Sequence, residues 1–170
     1  MKKVDIVEVG PRDGLQNEKK SLSLDDRFEL IRRLSASGLK RIEIVSFVSK
    51  EWDPQRADSM ELVKRVLAAQ AKGELAKDAK FSTLVPNQKG MELALQSGIK
   101  EIAIFGASTE SFSKKNINCT IAESFVRFRE VTELAKENKI KVRGYLSMAF
   151  GCPYEGKVDE SRVVRLVRAM

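Results

Sequence analysis

Short apolar runs rich in β-branched residues alternate along this chain with longer stretches whose apolar residues recur at helical spacing. Runs of this length, bounded by polar or glycine-containing segments, are typical of buried strands. The longer stretches between them predict helices that cross from one strand to the next, which indicates parallel strands in an α/β domain. The strands are expected at residues 4–9, 41–47, 81–85, 101–106 and 141–150.

Capping residues mark the helices that separate these runs. The first helix is expected to begin after Ser23, with acidic residues in its opening turn, and to stop near Gly38. Residues 109–119 form a polar segment before the next helix. The other helices are expected from about Asp58, over 87–98, from Thr120 and after residue 157.

This order predicts five βα units of roughly thirty residues each. Two architectures are built from such units, the open doubly wound sheet and the eight-stranded TIM barrel. The chain lacks G-x-G-x-x-G after its first strand, which removes the commonest dinucleotide-binding signature. Polar residues follow each strand, as in a barrel that gathers its active site from several strand ends, but the pattern alone leaves both architectures open. No linker or low-complexity segment indicates a second domain.

Composition places the chain among ordinary soluble domains. Its 170 residues are 42% hydrophobic and 32% charged, which is enough apolar material for one core. The net charge of +7 favours an anionic partner such as an acyl-CoA, whereas the scarcity of aromatic residues among the basic ones argues against nucleic acid. The chain has no signal peptide, no membrane-spanning run and only two cysteines, Cys119 and Cys152, so we expect a cytoplasmic protein that binds no membrane.

The loop after the first predicted strand carries the most chemistry. Gly10 and Gly14 permit unusual backbone angles, and between them Arg12 and Asp13 stand side by side at the end of a strand. A guanidinium and a carboxylate in that place can serve an anionic substrate and a hard cation together. Taken alone, an Arg-Asp pair in a turn is more often a surface salt bridge.

The string VEVGPRDGLQNE, residues 7–18, resembles the N-terminal signature of 3-hydroxy-3-methylglutaryl-CoA lyases, and its R-D-G-x-Q core is shared by a wider superfamily of metal-dependent aldolases and Claisen-type enzymes. The resemblance covers nearly the whole chain and implies a TIM barrel. It continues through Ile42-Glu43, Ser46-Phe47-Val48-Ser49, Trp52, Pro54-Gln55, Pro86-Asn87, Ile104-Phe105-Gly106-Ala107, Lys114-Lys115-Asn116-Ile117-Asn118-Cys119 and the segment GCPYEGK at 151–157.

The resemblance implies a retro-Claisen cleavage of 3-hydroxy-3-methylglutaryl-CoA to acetyl-CoA and acetoacetate. It implies that Asp13 is a ligand of a catalytic Mg²⁺ or Mn²⁺ that lowers the pKa of the substrate hydroxyl, and that Arg12 stabilises the enolate on the thioester. Glu43 resembles the family's acidic residue beside the metal, with catalysis as its role. A buried structural carboxylate paired with Arg12 is the alternative.

Weaker site predictions concern polar residues near strand ends. They are expected to line the substrate pocket, although serine or asparagine there often caps a helix instead. Lys114 and Lys115 are candidate contacts for the CoA phosphates, with a solvated loop as the alternative. We expect Trp52 to pack beneath its loop and Cys152 to be structural. The pocket-lining candidates are Gln16, Ser46, Asn87, Ser108 and Ser147.

One departure from the family bears on activity. The chain has no histidine, whereas the family completes its metal site with a His-x-His pair and an asparagine from later strands. Because a complete barrel takes about 250 residues, we expect this chain to be a truncated barrel that lacks lyase activity alone and associates through open strand edges, as in a homo-oligomer. Another acyl-CoA condensing enzyme, a hydroxy-oxo-acid aldolase and a non-catalytic acyl-CoA-binding half-barrel remain alternatives.

Overall fold

The computed structural model describes residues 4–48 and 58–170. Helices and strands alternate as expected for an α/β domain. After a short 3-10 helix at Gly14–Asn17, the elements in chain order are α1 (Leu24–Ala36), β1 (Arg41–Ser46), α2 (Ser59–Ala71), β2 (Lys80–Leu84), α3 (Gln88–Ser97), β3 (Glu101–Ala107), α4 (Glu110–Ile117), α5 (Ile121–Glu137), β4 (Lys141–Ser147), β5 (Gly151–Cys152), β6 (Gly156–Lys157) and α6 (Glu160–Ala169).

The main sheet of the described residues has four parallel strands that neighbour one another in chain order, β1-β2-β3-β4. A doubly wound sheet reverses its strand order at a switch point, and no reversal occurs here. Progressive order with a helix after each strand is the arrangement of consecutive units in a TIM barrel. Strands β5 and β6 form a separate small antiparallel hairpin.

The predicted first strand at residues 4–9 was wrong. In that segment only Glu8 pairs with the sheet, through an isolated parallel bridge to Ile42. The Glu8 N–H donates to the Arg41 carbonyl, and the Glu43 N–H donates to the Glu8 carbonyl. Val4 and Ile6 are 83% and 74% exposed, so the apolar pattern there is not buried by the described chain. In the described parallel sheet, four strands and one bridge therefore replace the five parallel strands predicted.

The predicted helix boundaries are confirmed where side chains cap them. Ser23 and Thr120 accept hydrogen bonds at the starts of α1 and α5, and Thr120 forms a complete capping box with Glu123. Gly98 ends α3 in the left-handed conformation, at φ 80°. The loop expected around Lys114 and Lys115 was wrong, because both lysines lie in the last turn of α4, whose first turn carries Glu110.

The apolar core lies between the sheet and the helices. Ile42, Ile44, Ile102 and Ile104 of β1 and β3 are buried in it together with apolar residues from α1, α2, α3 and α5. Alternate residues of the strands face the other way, which leaves polar side chains for the inside of the barrel. Within the described ranges, none of the helices combines the length and the apolar character that a bilayer crossing requires.

Candidate active site

A cavity of about 820 Å³ opens at the carboxyl ends of the strands, where TIM-barrel enzymes place their active sites. Seven of the predicted site residues line it together, although they come from five separate segments of the sequence. Of the other candidates, Lys114 and Ser108 lie outside the lining, and Glu43 lies beneath it, fully buried. The seven are Arg12, Asp13, Gln16, Ser46, Asn87, Lys115 and Ser147.

The turn before the 3-10 helix sends Arg12 inward and Asp13 outward. The N–H of Asp13 donates to the Val9 carbonyl at 2.6 Å, and the Gly10 N–H donates to Glu8 Oε1 at 2.6 Å. This tight turn leaves Arg12 9% exposed, whereas the Asp13 side chain is 57% exposed. The two neighbours therefore face different surroundings, one the protein interior and one the solvent-filled cavity.

Arg12 is held from two sides by carboxylates. Its Nε donates to Glu43 Oε1 at 2.6 Å, and its Nη1 donates to Asp13 Oδ1 at 2.5 Å. The Glu43 side chain is 0% exposed, so its charge is stable there only because cations and donors surround it. The predicted pairing of Glu43 with Arg12 is thus present in the structure.

Two residues that the sequence did not single out complete this arrangement. Glu43 Oε2 accepts a hydrogen bond from Arg143 Nη2 at 2.7 Å and another from the Tyr145 hydroxyl at 3.0 Å. The Arg143 guanidinium also lies over the Tyr145 ring, 4.4 Å from its centroid. Burial, together with the charge of Glu43, raises the pKa of the Tyr145 phenol. The available signal was the i, i+2 spacing of the two residues in a strand, which places them on one face.

The far end of the cavity is formed by α4 and the residues after it. Lys115 lines the cavity, and its Nζ lies 4.0 Å from the centroid of the Tyr154 ring, which also contacts Phe112. Glu155 accepts a hydrogen bond from the Ser111 N–H at the start of α4. The β5–β6 hairpin therefore fixes α4 and the position of its lysine. Asn116, Ile117, Asn118 and Arg127 also line this end.

Both cysteines are free and buried. The Thr109 hydroxyl donates to Cys152 Sγ at 3.1 Å, and the Tyr154 N–H lies 3.4 Å from the same sulfur. Burial works against ionisation of Cys152, but these hydrogen bonds outweigh it and lower the pKa of the thiol. Burial raises the pKa of Cys119. Neither cysteine lines the cavity, which agrees with the predicted structural role of Cys152.

Other predicted pocket residues also serve the fold. Asn87 lines the cavity and caps α3, because its Oδ1 accepts a hydrogen bond from the Gly90 N–H at 3.1 Å. Ser108 donates to the Met148 carbonyl at 2.5 Å and does not reach the cavity. Trp52 and Pro54-Gln55 lie outside the described residues.

A hard divalent cation needs more oxygen ligands than the described residues of this site offer. Asp13 offers an exposed carboxylate, whereas both oxygens of Glu43 already accept hydrogen bonds. In residues 4–48 and 58–170 no group of three or more His, Cys, Asp or Glu side chains is arranged to hold a metal. Mg²⁺ takes six oxygen ligands with several waters among them, so these residues supply one ligand and do not complete a site.

The model of the family described as HMGL-like matches residues 3–170. The chain belongs to the HMGL-like family. Its parallel strands are accordingly part of the TIM barrel of that family, which is metal-dependent. The open-sheet alternative is thereby excluded.

Known proteins similar to this HMGL-like chain are lyases. It is 47% identical over 169 residues to the 3-hydroxy-3-isohexenylglutaryl-CoA/hydroxy-methylglutaryl-CoA lyase of Pseudomonas aeruginosa, covering 99% of the chain and 54% of that protein. The Bacillus subtilis HMG-CoA lyase structure matches with a TM-score of 0.90 and 41% identity over 99% of the chain and 54% of that structure. An Acinetobacter baumannii HMG-CoA lyase structure, in complex with coenzyme A and 3-methylmalate, matches with a TM-score of 0.87 and 33% identity over 97% of the chain and 52% of that structure.

The HMGL-like chain spans about half the length of these relatives. Proteins named as mitochondrial and as cytoplasmic lyases both occur among its relatives.

Proposed function

We propose that this chain supplies the enolate-binding and CoA-binding part of a 3-hydroxy-3-methylglutaryl-CoA lyase, which cleaves its substrate to acetyl-CoA and acetoacetate. One observation carries the proposal: Arg12 is buried on a fixed carboxylate at the mouth of a cavity whose far end carries Lys115. A thioester enolate and a CoA diphosphate are both anionic, so they match cations at the two ends of one cavity. The family and the lyase relatives support the same reaction.

Arg12 is proposed to receive the negative oxygen that develops on the thioester during carbon–carbon cleavage. A guanidinium stays charged at every physiological pH and presents several donors in a fixed plane. Because Glu43 takes its Nε, the orientation of that plane is set before substrate arrives. Preorganised donors of this kind stabilise a transition state without having to reorient. Glu43 is proposed to act by positioning Arg12, because both of its oxygens are occupied.

The remaining polar residues of the cavity are proposed to bind the rest of the substrate. Gln16, Ser46, Asn87 and Ser147 offer neutral donors and acceptors near Arg12, suited to the hydroxyl and carboxylate of a hydroxyglutaryl group. Lys115 is proposed to contact the CoA phosphates. Lys114 lies on the same helix turn outside the lining and would add charge only.

Asp13 is proposed as one ligand of a divalent cation, Mg²⁺ or Mn²⁺. Its carboxylate is the exposed one of the pair and has the oxygen ligands that such cations prefer. The described residues do not complete the site, so no step of the reaction is assigned to the ion here. A cytoplasmic location and association with a second copy along the exposed edge of β4 stay predictions, the latter tested by sedimentation.

The function is tested by comparing the chain alone with a fusion. We expect the 170-residue chain with Mg²⁺ to give no acetoacetate from 3-hydroxy-3-methylglutaryl-CoA, because the chain has no histidine and its described residues supply an incomplete set of metal ligands. A fusion to the part of the Pseudomonas aeruginosa lyase beyond the matched region should release acetoacetate and acetyl-CoA. The matched control is the same fusion carrying Arg12→Gln. An inactive fusion that is folded and binds CoA would contradict the proposal.

A non-catalytic acyl-CoA-binding role is the second candidate, favoured by the single exposed carboxylate at the site. Calorimetry with CoA, with and without Mg²⁺, separates the two. Tight metal-independent binding together with an inactive fusion would favour binding alone. A panel of other 3-hydroxyacyl-CoA and hydroxy-oxo-acid substrates on the active fusion would identify a different condensing enzyme or aldolase.

A further inference from the structure

Three cationic or hydroxyl groups converge on one carboxylate that no solvent reaches. Glu43 is 0% exposed, and its two oxygens are used separately. Oε1 accepts a hydrogen bond from Arg12 Nε at 2.6 Å, whereas Oε2 accepts one from Arg143 Nη2 at 2.7 Å and one from the Tyr145 hydroxyl at 3.0 Å. The division between the oxygens matters because two donors fix Oε2, so the carboxylate cannot turn and Oε1 stays directed at Arg12.

We propose that Arg143 and Tyr145 are positioning residues that hold Glu43, and through it Arg12, in the orientation that receives an anionic oxygen of the substrate. The inference rests on the proposed function, in which Arg12 is the residue that meets this oxygen. Arg143 and Tyr145 are two residues apart on β4, so both side chains leave the same face of the strand. Their distance from Glu43 in sequence is 100 and 102 residues.

The contacts with Glu43 and Tyr145 set the orientation of Arg143, although this orientation leaves one of its hydrogen-bond donors without an acceptor in the part of the chain that the structure describes. Its Nε is buried and meets no acceptor among the described residues. A guanidinium placed for stability alone would be expected to satisfy its buried donors. The stacking of its plane on the Tyr145 ring, at 4.4 Å, fixes the direction from which Nη2 approaches Glu43.

Charge also explains why a second arginine is present. Arg12 lies between Glu43 and Asp13, and with Arg143 the cluster contains two positive and two negative groups. Without Arg143, the Glu43 charge would be balanced by Arg12 alone, which would draw the guanidinium toward Glu43 and away from a ligand. Arg143 and the Tyr145 hydroxyl balance part of the negative charge of Glu43. More of the positive potential of Arg12 is therefore available to an anion in the cavity.

The test measures charge recognition and needs no turnover. Two ligands of nearly equal shape are S-carboxymethyl-CoA, which carries a carboxylate beside the sulfur, and S-carboxamidomethyl-CoA, its neutral amide. The ratio of their dissociation constants on the full chain, measured by calorimetry, reports how well Arg12 receives a negative oxygen. We expect the unaltered chain to prefer the carboxylate and Arg12→Gln to lose the preference.

The variants separate positioning from general stability. Tyr145→Phe keeps the ring and every charge, and should lower the preference for the carboxylate ligand about threefold. Arg143→Gln should lower that preference about tenfold. Each variant removes a charge-assisted hydrogen bond to Glu43. Arg143→Lys, which keeps the charge, should recover part of the loss. In each variant, affinity for the neutral amide should fall less than affinity for the carboxylate, because the amide carries no charge for Arg12 to balance. In the Arg12→Gln background, Tyr145→Phe should have no further effect.

Arg41→Gln is the matched control. Arg41 also pairs with a buried carboxylate, Glu101. It lies two residues before Glu43 on β1 and does not line the cavity. We expect it to lower the melting temperature and keep the preference intact. The inference is overturned if Tyr145→Phe and Arg143→Lys both keep the full preference for the carboxylate ligand. It is also overturned if Tyr145→Phe still lowers the preference in the Arg12→Gln background, or if the unaltered chain shows no preference. A preserved pattern with an inactive lyase fusion would contradict the proposed reaction alone.

Discussion

Strand β1 takes part in two ionic clusters, a mouth cluster around Glu43 beneath the cavity and a base cluster around Arg41 at the start of the strand. The two clusters differ in what they face. At the mouth of the barrel, Glu43 is 0% exposed and pairs with two arginines. At the base, Arg41 lies between Glu101, whose side chain is 8% exposed, and Asp5, whose side chain is 70% exposed. The chemistry is the same, but only the mouth cluster borders the cavity.

The difference shows which cluster the fold alone would favour. A partly exposed pair such as the one at the base costs little to desolvate and contributes modestly to stability. A carboxylate with no solvent contact costs several kcal/mol to bury, and its partners only offset that cost. The mouth cluster is therefore poorly explained by stability and well explained by the orientation of Arg12.

The largest expected effect contrasts the two buried carboxylates. Glu43→Gln should lower the free energy of unfolding by about 3–5 kcal/mol, because it leaves buried guanidinium groups without their counter-charge. Glu101→Gln should cost about 1–2 kcal/mol, since Arg41 keeps Asp5 and some solvent. Urea unfolding of both variants measures the two values. Equal losses would mean that the mouth and base clusters do not differ in the cost of losing a buried carboxylate.

Local signals predicted much of the fold, whereas the ionic clusters depended on distant pairing. The start of α1 followed from Ser23, and the end of α3 followed from Gly98, because caps act within one turn. Residues 4–9 had a strand pattern, but pairing is non-local and only Glu8 found a partner. Arg143 was missed for the same reason, since its approach to Glu43 depends on the order of β1, β2, β3 and β4.

A second contrast concerns two glycines at opposite ends of the barrel. A Cβ on Gly90 of α3 would lie 2.7 Å from the Phe47 carbonyl at the mouth, whereas Gly38 at the base has open space but a φ of +91°. Gly90→Ala should cost about 1–3 kcal/mol through overpacking, and Gly38→Ala should cost about 1 kcal/mol through backbone strain.

Thermal unfolding compares the two glycine variants directly. If Gly90→Ala is stabilising, its gain in helix propensity exceeds the clash, and the mouth is less tightly packed than the distance to Phe47 indicates.

Tyr145 provides a pH readout of the mouth cluster. Burial and then the charge of Glu43 raise the pKa of its phenol above 10.0, so the neutral form is favoured in the folded protein. The neutral Tyr145 phenol therefore makes its full contribution to the free energy of unfolding below pH 10.0. That contribution is lost as the pH rises through the raised pKa of the folded state. Because the chain has two tyrosines, the tyrosinate absorbance of Tyr154→Phe reports Tyr145 alone.

Combining Tyr154→Phe with Glu43→Gln or with Glu101→Gln shows which carboxylate affects the titration of Tyr145. Glu43→Gln should lower the pKa of Tyr145, because a negative neighbour is removed, and Glu101→Gln should leave it where it was. A Tyr145 that titrates like free tyrosine in the unaltered cluster would show that its hydroxyl does not meet Glu43.

The smallest expected change in stability belongs to Asp13, the most exposed member of the mouth cluster. Asp13→Asn keeps the shape of a side chain that is 57% exposed, and should alter the free energy of unfolding by no more than about 0.5 kcal/mol. In the lyase fusion the same change should reduce turnover more than about 100-fold, because even partners of metal ligands are worth about 10- to 100-fold. Glu101→Gln is the opposite control, with a larger stability loss and turnover retained. If Asp13→Asn keeps its stability and loses turnover, the Asp13 carboxylate acts on the substrate and its cation. If turnover is retained, Asp13 forms only a surface salt bridge with Arg12.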